Sequence, residues 1–139
     1  MTARRVFADT NLFLRYLTND IPAQADFVEQ LFHRAASGEC TLVINSMVVA
    51  EVVWTLESSY GLQRREVCDK VMAIVNTPGL EVADKDVVLQ AISWHAEQNV
   101  DFIDAYNAAW LLGQGIGAIY TFDCKHFKRL DRVTIETVS

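Results

Sequence analysis

Four acidic side chains, Asp9, Glu51, Asp104 and Asp123, are spread over the whole chain, each at or just beyond the end of an apolar segment. Three or four carboxylates converging on one point repel one another strongly unless a divalent cation neutralises them. Oxygen ligands with no histidine or thiolate among them select Mg²⁺ or Mn²⁺ over zinc. Such ions keep several waters and take substrate phosphates, so the chemistry open to this set is phosphodiester cleavage by a metal-activated water. Each acid also has an ordinary reading. Asp9 can be a turn residue, and Asp123 the N-cap of a helix from Lys125 to Leu130. Asp104 shares a polar stripe with Asp101 and Asn107 on a helix otherwise rich in Ala and Leu, and Asp101 is better read as its cap. Glu51 sits within Val48-Val49-Ala50-Glu51-Val52-Val53. An ionised carboxylate among such residues is costly to desolvate unless a cation or donor offsets it. The alternative is a solvent edge shared with Met47, Thr55 and Ser58.

The elements that must position these residues alternate between strand-like apolar runs and helical patterns, which predicts an α/β/α sandwich around a parallel sheet. A strand from Arg5 to Ala8 delivers Asp9 to the carboxyl edge of that sheet, and one from Ala118 to Phe122 does the same for Asp123. Between them lie strands at Thr41 to Asn45 and Leu80 to Ala83, with a last one at an edge over Val133 to Thr137. A helix from Pro22 to Ser37 follows Asp20 as N-cap and presents Phe27, Leu31 and Ala35 on one face. Ser46 caps the next helix, whose Val48, Val49, Val52, Val53 and Leu56 form a wide apolar face. Further helices carry Val67, Val71 and Ile74, stopped by Pro78-Gly79, then Val88, Ile92 and His95, then Phe102 to Leu112.

At 139 residues and 51% hydrophobic the chain reads as one domain over residues 1–139, with no repeat or linker. Three cysteines without a C-x-x-C spacing suit a reducing cytoplasm, and no signal peptide or membrane span is read. A net charge of −6 speaks against binding nucleic acid through a broad basic surface. Positive charge is local: Lys125, Lys128, Arg129 and Arg132 follow the last acid and are the expected holders of a substrate phosphate backbone, or else a solvated amphipathic turn. His33, His95 and His126 lack the spacing of a zinc site or an acid–base pair and read as surface or half-buried residues. Gly113, Gly115 and Gly117 precede a strand, so they form no phosphate loop. Trp54, Trp94 and Trp110 sit in helical patterns as core or partner-facing residues.

Val6-Phe7-Ala8-Asp9-Thr10-Asn11, Ile44-Asn45-Ser46 leading to Glu51, Asp101-Phe102-Ile103-Asp104-Ala105 and Tyr120-Thr121-Phe122-Asp123 follow in this order. Together they resemble the ordered motifs of PIN-domain ribonucleases, and among these the VapC toxins of bacterial toxin–antitoxin pairs, over essentially the entire chain. The resemblance implies that Asp9, Glu51, Asp104 and Asp123 bind Mg²⁺ or Mn²⁺, with Asn11, Ser46 and Thr121 as supporting polar residues. It implies an endoribonuclease, a homodimer, and a small antitoxin whose C-terminal segment covers the acidic site. Two other functions fit the same residues: a PIN nuclease of RNA processing outside toxin–antitoxin pairs, and a non-catalytic protein-interaction module that keeps the fold.

Overall fold

The computed structural model describes residues 4–122 and 124–136. Asp123 and the Thr137 end of the expected last strand lie outside the described residues. The chain forms two compact units, one running to Lys85 and the other starting at Asp86.

The first unit contains β1(Arg4–Phe7), α1(Thr10–Thr18), α2(Pro22–Ala36), β2(Cys40–Ile44), α3(Ser46–Ser58), α4(Arg64–Val75) and β3(Leu80–Val82). Its strands pair in the order β1-β2-β3, all parallel, with Val6 opposite Leu42 and Leu42 opposite Leu80. Parallel neighbours need long crossovers, and the helices between the strands supply them. Phe13, Leu42, Ile44, Val53, Leu56, Val67, Val71 and Val75 form its core. The α3 face expected from sequence is buried in full, at Val48, Val49, Val52, Val53 and Leu56.

Four local features differ from expectation. Helix α1 occupies a segment for which the sequence patterns predict no element; its Thr10, Phe13 and Leu14 are buried, while Asn11 and Tyr16 are exposed. On α2 the buried face is Ala25, Val28 and Ala35, and Phe27 stands 59% exposed on the opposite side. Asn45 instead of Ser46 caps α3, accepting the Val48 N–H on Oδ1 at 3.1 Å. Nor does Asp20 cap α2, which starts after Ile21 with Pro22 in its first turn. The Asp20 carboxylate instead accepts from the Tyr60 hydroxyl at 2.8 Å and the Thr18 hydroxyl at 2.9 Å, with Arg15 at 3.3 Å. These partners, Tyr60 foremost, hold its carboxyl below the usual range and tie the α1–α2 turn to the end of α3. Gly79, at φ 83°, is the residue the turn before β3 requires, because a side chain there would run into the Ala35 carbonyl.

The second unit contains α5(Lys85–Glu97), α6(Phe102–Gly113), β4(Ala118–Tyr120), α7(Cys124–Phe127) and β5(Thr134–Glu136). Strands β4 and β5 are parallel, with Ile119 opposite Ile135. Val88, Ala91 and Ile92 of α5 and Ala105 and Ala108 of α6 are fully buried. So is His95, at 2% exposure, where a half-buried or surface histidine was expected.

Candidate metal centre

In the first unit, Asp9 follows β1 directly and stands at the N-cap of α1 with extended backbone, its side chain making no cap hydrogen bond. Its neighbours are fixed. Ala8 is fully buried and donates its N–H to the Val43 carbonyl at 2.9 Å, and Thr10 is buried at 4% exposure. The carboxylate is thus exposed on a rigid backbone at the carboxyl end of a parallel strand, and the positive end of the α1 dipole favours its charge. Asn11, exposed in the first turn, lies beside it. Both border a groove of about 350 Å³ between α1 and α2, whose far side is formed by Gln24, Phe27 and Val28. Arg15 is held across it, its Nε donating to Gln24 Oε1 at 3.1 Å.

Helix α3 packs against α1. Its Glu51 is exposed, on a face with Met47, Trp54 and Ser58, and the flanking valines point the other way. Successive helical residues are about 100° apart, so apolar neighbours in sequence leave Glu51 in water and the expected desolvation cost does not arise. Ser46 is the first residue of α3 and half-buried.

In the second unit, Asp104 is half-buried in the first turn of α6, where the helix dipole again favours a carboxylate. Ligand-type atoms of Asp101, Asp104 and His126 lie within 4.8 Å of one another. His126, 9% exposed, is the member that sequence spacing did not single out. The hydrogen bonds fix its role. Asp101 donates its backbone N–H to His126 Nδ1 at 2.7 Å, so Nδ1 carries a lone pair and the neutral ring bears its proton on Nε2, which faces the Asp101 carboxylate at 3.6 Å. Neither nitrogen is left to bind a cation. Ligation through Nε2 would move the proton to Nδ1, setting two donors face to face and costing roughly 1–3 kcal/mol for the unmatched Asp101 N–H. The donors on offer are therefore carboxylate oxygens, as a hard divalent ion requires. Asp101 occupies the N-cap position of α6 without a side-chain cap bond.

Thr121 is half-buried just past β4, and its carbonyl accepts the Cys124 thiol at 3.8 Å. Lys125, Lys128 and Arg132 are exposed, whereas Arg129 is half-buried and its guanidinium donates to the Asn99 carbonyl. Arg129 and Arg132 border a concavity of about 180 Å³ with Trp94, Gln98, Leu130 and Asp131. No helix among the described residues is long and apolar enough to cross a membrane.

The chain is 24% identical over 127 residues to a VapC ribonuclease of Aquifex aeolicus (strain VF5), an alignment that covers 91% of this chain and 93% of that protein. The PIN domain matches residues 6–133, a span that takes in both units, all four acids and each of the ordered motifs. With parallel strands, intervening helices and that near-complete match, the chain belongs to the PIN domain family and has its α/β fold.

Proposed function

We propose that this protein is a Mg²⁺- or Mn²⁺-dependent endoribonuclease and the toxin of a toxin–antitoxin pair. The observation that carries the reading is Asp9, exposed and without a cap bond at the end of a parallel strand, in a chain matched to the PIN domain from residue 6 to residue 133. Similarity to a VapC ribonuclease supports RNA as substrate and a small antitoxin as partner. Asp9, Glu51, Asp104 and Asp123 hold the cation, directly or through water, with Asn11, Ser46 and Thr121 supporting them. A cation held by these carboxylates would supply orientation of the scissile phosphate and acidification of the attacking water. The carboxylates keep the site oxygen-only, and the products carry 5′-phosphate and 3′-hydroxyl ends. A homodimer in the cytoplasm completes the reading.

Expression of the wild type alone is expected to arrest growth of a bacterial host, and Glu51→Gln to relieve the arrest, because cleavage itself is the toxic step. Equal toxicity of the two forms, at equal protein levels, would count against the toxin assignment.

We place the RNA backbone along Lys125, Lys128 and Arg132, the exposed cations in and just after α7. Each phosphate contact contributes roughly 0.7 to the slope of log affinity against log salt for single strands. Triple replacement by Ala should flatten that slope by about 2; an unchanged slope returns the cluster to a solvated face.

A further inference from the structure

Three side chains of the second unit grip three consecutive residues of the loop between α5 and α6. From α5, His95 donates its Nδ1–H to the Val100 carbonyl at 2.7 Å. From α7, His126 accepts the Asp101 N–H at 2.7 Å. Just past α7, the Arg129 guanidinium donates to the carbonyl of Asn99, which turns the chain in the left-handed region at φ 56°. Asp101 then opens α6, its carbonyl accepting the Ala105 N–H at 2.8 Å. The peptide that starts α6 is therefore fixed on one side by the helix and on the other by an imidazole, and Asp104 lies three residues on.

We propose that His126 and Arg129 are positioning residues for Asp104. They touch neither metal nor substrate; they lock the α5–α6 loop and so set where the first turn of α6 presents its carboxylate. The geometry required of ligands explains the need. A metal site works when its ligands are held within about 0.5 Å, and a first helical turn frays unless its leading N–H groups find acceptors. His126 supplies such an acceptor through the one tautomer the Asp101 N–H permits. Arg129, one of the cations that sequence alone offered as RNA contacts, is half-buried and donates to the Asn99 carbonyl. The proposal rests on the reading of Asp104 as a metal ligand.

Mn²⁺ affinity of the purified full chain, measured with the metal alone, tests it. His126→Leu keeps the bulk and loses the lone pair, and is expected to weaken Mn²⁺ binding by roughly 10–100-fold, the usual loss when a group supporting a ligand is removed. His126→Asn places an amide oxygen where Nδ1 stood and should recover most of that loss, a rescue that packing alone does not provide. Arg129→Met should weaken Mn²⁺ binding and leave the salt slope of RNA binding unchanged. Asp104→Asn is the reference. If it is weakened while His126→Leu binds Mn²⁺ as the wild type does, or if Asn and Leu at 126 are equally poor, the positioning role is overturned and the ligand reading stands. If Asp104→Asn itself binds like the wild type, both fall. Should His126→Leu fail to fold, Arg129→Met decides: unchanged Mn²⁺ affinity overturns the proposal.

Discussion

Asp9→Asn and Asp104→Asn are each expected to remain folded and to lose metal-dependent RNA cleavage. The shapes are nearly identical, and Asn is as good an N-cap as Asp, so α1 loses only its favourable dipole interaction, about 0.3–1 kcal/mol. That is small beside the 5–15 kcal/mol by which domains are held folded. The effect on activity is larger in kind. Losing a group that merely supports a metal ligand costs roughly 10–100-fold, and losing a ligand charge should exceed that range. Total RNA incubated with Mn²⁺ or Mg²⁺, with the new ends mapped, gives the readout: 5′-phosphate ends from the wild type and none above background from either variant. Metal-dependent cleavage retained in either one would remove that residue from the site.

Much of the frame that presents these acids is legible in the sequence, because period-2 and period-3.6 patterns survive in the core. The five-residue apolar face of α3 lies where the pattern puts it, and so does the strand leading to Asp9, although β1 is exposed along its length. Helix α1 was hidden by its polar residues, yet Thr10, Phe13, Leu14 and Leu17 have the i, i+3, i+4, i+7 spacing of a buried stripe, and Asp9 is an N-cap type. On α2 the i, i+4, i+8 spacing of Phe27, Leu31 and Ala35 marks a stripe, but the buried face is the neighbouring one of Ala25, Val28 and Ala35.

The metal-centre residues divide in the same way. The places of Asp9, at a strand end, and of Asp104, in a first helical turn, are legible because such boundaries are marked locally. Glu51 takes the solvent-edge place beside Met47 and Ser58, since its buried neighbours face away from it. His126 could not be read at all: its partner Asp101 is 25 residues distant, and no local signal marks a hydrogen bond from a backbone N–H to an imidazole. A separation of 30 residues likewise hides the turn of Arg129 toward Asn99.

The second large effect is the response of stability to metal, and it tests the central claim, that these acids hold a divalent cation, without knowledge of the substrate. A ligand that binds only the native state stabilises it by RT ln(1 + [L]/Kd), about 2.7 kcal/mol when free metal is one hundred times its dissociation constant. For a chain of this size that corresponds to a rise in Tm of roughly 5–10 °C. If the four acids converge as proposed, they repel one another without metal, so Asp9→Asn offsets its small dipole loss and should melt near the wild type or above it. The measurement is thermal melting of wild type and Asp9→Asn across a Mn²⁺ titration in metal-stripped buffer. The account predicts a rise of that size for the wild type and a much smaller one for the variant. No rise in the wild type at millimolar Mn²⁺, or an equal rise in both, would contradict it.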